Sequence, residues 1–172
     1  INPRFADAYY NRGIAKGNLE DYSGAIADYT KAIKINRKFW DAYYNRGIAK
    51  YKLKDYSGAI ADYTKAIEIN NPRNANAYNN RGVAKGNLED YYGAIFDYTK
   101  AIEINPRYAN AYSNRGNAKT PLEDYSGAIA DYTKALEANP KDAYAYYNRG
   151  YAKSELKDYY GAISDYTKAL EI

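Results

Sequence analysis

The sequence predicts an all-α fold, an α-solenoid made of stacked antiparallel helix pairs. Three observations predict it. The 172 residues repeat themselves five times at a near-constant period, each repeat carries an apolar stripe at helical spacing, and an Asp stands just before each stripe.

The period comes first. The word Asn-Arg-Gly places its glycine at 13, 47, 82, 116 and 150, with separations of 34, 35, 34 and 34 residues. A second word, Asp-Tyr-x-Gly-Ala-Ile, travels in step from Asp21, Asp55, Asp90, Asp124 and Asp158. The one extra residue falls at Asn70 and Asn71, between units, where an insertion is cheapest. Repeats therefore span about 3–36, 37–70, 72–105, 106–139 and 140–172. A single helical hairpin cannot bury its apolar face, but five stacked ones can, so one continuous core is expected with no internal domain boundary. Ile1, Asn2 and Pro3 return as Ile104, Asn105 and Pro106 at a repeat junction, so the chain reads as a segment of a longer array.

Each unit reads as two helices. In the second, Tyr22, Ala25, Ile26, Tyr29, Ala32 and Ile33 form one apolar face, and Asp21 caps it by accepting from unpaired backbone N–H groups. In the first, Ala8, Tyr9, Arg12, Gly13 and Ala15 form a face of small residues that lets two backbones approach closely. Pro3, Pro72, Pro106 and Pro140 mark unit starts, with Arg37 in that place in the second unit. The Tyr9, Tyr22 and Tyr29 series, fifteen rings in five units, are expected to be core.

These residues resemble the tetratricopeptide repeat, in a bacterial-type wording. The first unit matches through Tyr9, Gly13, Ala25 and Tyr29, with Ala32 one turn on, and all five units match similarly. The resemblance implies a right-handed superhelix in which first helices line a concave groove. It implies binding of another protein or an extended peptide, without catalysis and without a cofactor. Two positions depart from the family pattern. Arg12, Arg46, Arg81, Arg115 and Arg149 replace the leucine before the glycine, and Lys16, Lys50, Lys85, Lys119 and Lys153 replace a large residue after it. Asp28, Asp62, Asp97, Asp131 and Asp165 recur in step with the arginines, so an Arg–Asp bridge is expected across each hairpin. Gly24 and its counterparts lie in a helical first turn, at a cost of about 1 kcal/mol against Ala.

The resemblance also places the groove residues. Asn11, Asn45, Asn80, Asn114 and Asn148 form a ladder that can pair with a peptide backbone, or else bond neighbouring helices and set the pitch. Beside it vary Tyr10, Tyr44, Asn79, Ser113 and Tyr147, then Ile14, Ile48, Val83, Asn117 and Tyr151, then Asp7, Asp41, Asn76, Asn110 and Tyr144. The clamp that some family members use for a C-terminal carboxylate needs Lys and Arg beside the Asn. Tyr, Ser and Asn stand there instead, which argues against charge capture.

Composition narrows the rest. There are 24 Tyr and no His, Cys or Met. The commonest general base, thiolate chemistry and the usual zinc ligands are absent, and no nucleophile stands with its base. The net charge of +4 comes from 25 basic and 21 acidic residues, too mixed for a dedicated nucleic-acid surface. No apolar stretch reaches the roughly 20 residues of a membrane span. The lack of Cys leaves the compartment open, with the cytoplasm slightly favoured. The last unit ends on a second helix without a polar closing helix, so head-to-tail self-association, as a spacer or rod, stands as the second expectation.

Overall fold

The computed structural model describes residues 4–69 and 74–172. Pro3, Pro72 and the Asn70–Asn71 junction lie outside them. The described residues form ten α-helices and no strand. They group into two compact units, residues 1–88 and 89–172.

The first unit holds α1 (Arg4–Asn18), α2 (Tyr22–Ile35), α3 (Trp40–Lys52), α4 (Tyr56–Ile69) and α5 (Ala75–Gly86). The second holds α6 (Tyr91–Ile104), α7 (Ala109–Lys119), α8 (Tyr125–Ala138), α9 (Ala143–Glu155) and α10 (Tyr159–Glu171), with a short 3-10 turn at Thr120–Leu122. Within each unit every helix packs on the next in sequence. In the first unit α1 also meets α3 and α3 meets α5, so successive first helices lie side by side.

The caps explain where the second helices begin. Asp21, Asp55, Asp90, Asp124 and Asp158 each accept from the N–H of the glycine three residues on, at 2.9–3.0 Å. The same contact accounts for that glycine. A Cβ on Gly58 would stand 2.1 Å from the Asp55 carboxylate, so a side chain there displaces the cap. α2 and α6 end where Asn36 and Asn105 turn extended and accept, through Oδ1, from the N–H two residues later. The turn inside each hairpin has a left-handed residue just before the Asp: Glu20, Lys54, Glu89, Glu123 and Lys157, with φ between 60° and 64°. None is glycine, although the conformation favours it.

Close approach inside the hairpins rests on a second glycine set. A Cβ on Gly47 would meet the Tyr63 ring at 2.8 Å, and Gly13, Gly116 and Gly150 stand alike over Tyr29, Tyr132 and Tyr166. Tyr63 is 2 % exposed, and burying such a ring is worth about 2–3 kcal/mol. Burial holds these phenols protonated, with Tyr29 pushed up to about 12. The rest of the core is mostly alanine, with Ala25, Ala32, Ala59 and Ala128 lacking any exposed surface, joined by the buried Ile33, Ile67 and Leu136.

The tyrosine expectation needs correction. Only the Tyr29 series is core, and its last member, Tyr166, is half-buried. The Tyr9 and Tyr22 series are half-buried, and Tyr159 is exposed. The Tyr9-type ring lies under the Arg three residues on, at 5.3–5.7 Å from ring centre to guanidinium carbon. It covers a charge with one face, and Tyr9 and Tyr43 pack from the edge against the core at Ala32, Ile33 and Ala42.

Candidate functional site: the first-helix face

Each charged hairpin seam is built around a buried Asp. Arg46 Nε donates to Asp62 Oδ2 at 2.8 Å and Nη2 to Oδ1 at 2.6 Å. Lys50 Nζ reaches Asp62 Oδ2 at 2.8 Å. The same bidentate pair forms at Arg12–Asp28, Arg115–Asp131 and Arg149–Asp165, and Lys16, Lys119 and Lys153 supply the second cation. The expected bridge is therefore present, and the unusual lysine belongs to it. The Arg12 and Lys16 bonds hold the Asp28 carboxyl well below its ordinary range, overriding burial. Burial acts against ionisation of Asp165, and Arg149 and Lys153 outweigh it, so its pKa is lowered too.

The arginines do one thing more. Nη1 of Arg46, Arg81, Arg115 and Arg149 donates to Thr30, Thr64, Thr99 and Thr133 in the preceding repeat, each at 3.0 Å. Sequence reasoning missed these threonines. The signal was there, since the word Asp-Tyr-Thr-Lys-Ala ends all five second helices.

The predicted ladder sits on the first helices. Asn45 Nδ2 donates to Tyr10 Oη at 2.8 Å and to the Asp41 carbonyl at 3.1 Å, and Asn80 Nδ2 donates to Tyr44 Oη at 3.0 Å. These amides thus bind the neighbouring first helix through nitrogen. The Asn45 Oδ1 accepts from none of the described residues and remains as an acceptor. Asn11 is exposed. In the second unit Asn148 Nδ2 donates to Asn117 Oδ1 at 3.1 Å, which also accepts from Tyr132 Oη at 2.9 Å. Asn114 is half-buried.

The variable positions divide. Tyr10 packs on Tyr29 and on Phe39, with ring centres 5.9 and 4.8 Å apart, and Tyr44 packs on Tyr63 at 5.8 Å. Both are half-buried. Asn79 is buried, and the Ser113 hydroxyl is buried without a partner among the described residues. Tyr147 and Tyr151 are exposed, as is Tyr144. Burial raises the Asp41 carboxyl pKa.

Two small clefts open along the first unit. One of about 220 Å³ lies where Ile14 and Gly17 face Asn45 and Ile48, and a second of about 210 Å³ where Ile48 and Tyr51 face Asn80 and Val83. Each places one ladder amide beside aliphatic side chains, with Lys52 lining both. Among the described residues no helix is long and apolar enough to cross a membrane.

The comparisons agree with this architecture. A family model described as tetratricopeptide repeat matches residues 6–39, 40–71 and 75–108, and related repeat models match 121–157 and 143–172. No curated protein matches the chain. Among solved structures it is similar to MamA, at 26% identity over 92% of each chain with a TM-score of 0.89. It is also similar to a MamA fragment from Desulfovibrio magneticus RS-1, at 21% identity over 96% of this chain and 93% of that one, TM-score 0.90. A third is YrrB, described as a TPR protein with an unusual peptide-binding site, at 22% identity over 95% and 84%, TM-score 0.82.

Proposed function

This chain belongs to the tetratricopeptide-repeat family, and we propose that it is a protein-interaction scaffold whose first-helix face holds an extended peptide segment and which catalyses nothing. The observation that carries the reading is the Asn45 amide. Its nitrogen is committed to the Tyr10 hydroxyl and the Asp41 carbonyl, which leaves its Oδ1 as the acceptor, and Asn45 lines a cleft with Ile14 and Ile48. An acceptor of this kind suits the N–H of an extended backbone, which it can hold without reading side chains. Specificity then falls to the positions that differ between repeats, with Asp7 and Asp41 at one end and Tyr144, Tyr147 and Tyr151 at the other. At 22% identity the likeness to YrrB carries the fold, and its binding site lends no residue to this chain.

The test separates the two duties of the ladder. The chain is immobilised beside a variant with Asn11, Asn45, Asn80, Asn114 and Asn148 changed to Ala, and beside a Tyr10→Phe, Tyr44→Phe control. The control removes the Asn45–Tyr10 and Asn80–Tyr44 bonds and keeps every amide. A partner captured from a native lysate by the chain and the control, and lost by the Asn variant, is the expected result. A partner held equally by all three would place binding elsewhere.

A further inference from the structure

At the open end of a hairpin, the start of a first helix meets the end of a second, and a cleft lies between them. In the fourth repeat it measures about 510 Å³, with Pro106 and Arg107 on one side and Lys134 and Glu137 on the other. In the first repeat it measures about 560 Å³ and lies between Asp7 and the corner that runs from Lys34 to Lys38. The fourth-repeat cleft stays open although α6 packs on α7 and α9 on α8. The opening is therefore a property of the hairpin, present with neighbouring repeats in place.

The two clefts differ in charge. Near the ends of α4, α6 and α8 a Lys pairs with a Glu one turn on: Lys65–Glu68, Lys100–Glu103 and Lys134–Glu137, at 2.6–2.7 Å. In α2 that Glu is replaced by Lys34. Lys31 turns instead over the Tyr9 ring, 5.3 Å from its centre. Arg37 stands where later units begin with Pro72, Pro106 and Pro140, and Lys38 follows it. Four of the eight residues from Lys31 to Lys38 are thus cationic, all four are exposed, and none forms an ion pair among the described residues. Nearby acids do not balance them. Asp7 is the one carboxylate among the described residues that line the cleft, and Asp41, one turn beyond Lys38, is half-buried and pairs with none of the four. Lysines one turn apart repel each other. The helix end does not require the second one, because the other repeats place Glu there.

We propose that this corner, through Lys31, Lys34, Arg37 and Lys38, binds a short acidic peptide segment of a partner protein. Carboxylates of that segment supply the counter-charge that Glu68, Glu103 and Glu137 supply within the other repeats. Arg37 offers a carboxylate two parallel N–H donors, and the lysines add charge-assisted bonds. Ala6 and Ile35 give the cleft an apolar floor for the peptide stem. Charge complementarity also sets the length and the kind of partner. A nucleic-acid backbone needs cations along an extended track, whereas the corresponding corner of the fourth repeat carries Glu137 and Asp142. The positive field ends within one corner, which suits a short segment. The corner lies apart from the ladder amides, so this reading goes beyond the groove and neither depends on the other.

Fluorescence anisotropy of a labelled decapeptide rich in Asp and Glu tests this, beside its Asn/Gln counterpart and an oligothymidylate of the same length. The full chain should bind the acidic peptide, more weakly as salt rises, and bind the Asn/Gln peptide about tenfold less tightly or worse. Lys34→Glu with Arg37→Pro gives this corner the wording of the fourth repeat. The first change restores an ion pair for Lys31, and Asn36 is already extended, as suits the residue before a proline. The fold should therefore be kept, and circular dichroism checks it. This variant should lose about tenfold or more in affinity for the acidic peptide. Lys134→Glu reverses a charge at the other cleft and should bind as the unaltered chain does. No binding of the acidic peptide, equal binding by the corner variant, an equal loss in Lys134→Glu, or tighter binding of the oligothymidylate would each overturn the proposal.

Discussion

Arg46 Nη1 donates to Thr30 Oγ1 at 3.0 Å, so the guanidinium that holds Asp62 inside its own hairpin also ties that hairpin to the one before it. One side chain therefore contributes to both terms that set the stability of a repeat array, the strength of the repeat and that of the interface. Removing Asp62 leaves Arg46 and Lys50 half-buried without a counter-charge. Asp62→Ala is expected to cost about 3–5 kcal/mol, and Arg46→Ala with Asp62→Ala at least about 1 kcal/mol less than the sum of the singles. Thr30→Val should cost about 1 kcal/mol. Denaturant unfolding of the set measures these; strictly additive effects would rule out direct coupling.

Two glycines in one hairpin should answer alike to Ala in sequence terms and differently in fact. At Gly47 the new Cβ meets a buried Tyr63 ring that has nowhere to go, and a cost of about 1–3 kcal/mol is expected. At Gly58 it meets only the Asp55 carboxylate, which can rotate into solvent. The lost cap and the gained helix propensity are each about 1 kcal/mol, so the net change should stay within about 0.5 kcal/mol. Thermal or denaturant unfolding of the two variants settles the order, and equal losses would contradict it.

The left-handed residue before each cap is an opening for stabilisation. Lys54 holds φ at 63° with a Cβ that disfavours it. Lys54→Gly should raise stability by about 0.5–1 kcal/mol, the strain relieved outweighing the extra freedom of the unfolded chain. A drop in denaturation midpoint would count against this account of the turn.

Stability should fall at both extremes of pH, for separate reasons. Asp28 and Asp165 have lowered pKa values in the fold. Their contribution is present above the ordinary carboxylate range near about pH 4 and is lost as pH falls through the folded values. Tyr29 is raised to about 12, so its contribution is present below the ordinary phenol value near about 10 and is lost as pH rises through about 12. Helical circular dichroism against pH, with phenolate absorbance followed alongside, should show alkaline unfolding coincident with ionisation of the buried rings. Phenolate formation complete before any helix is lost would refute the link.

The sequence by itself determined whatever lies within one repeat. The period set the hairpin, the stripe set its buried face, the Asp set the start of the second helix, and a constant 16-residue spacing paired Arg12 with Asp28 and Arg46 with Asp62. Local spacing suffices there because a helix has a fixed rise and turn. The tertiary structure alone decided what passes between repeats. It gave Arg46 its Thr30, turned the Asn45 nitrogen toward Tyr10, and left the Tyr9 and Tyr22 rings half-buried at the edge of the core. Those contacts depend on how far one hairpin shifts and rotates on the next. That displacement is the joint result of many side chains packing at once, and no short pattern in the chain encodes it.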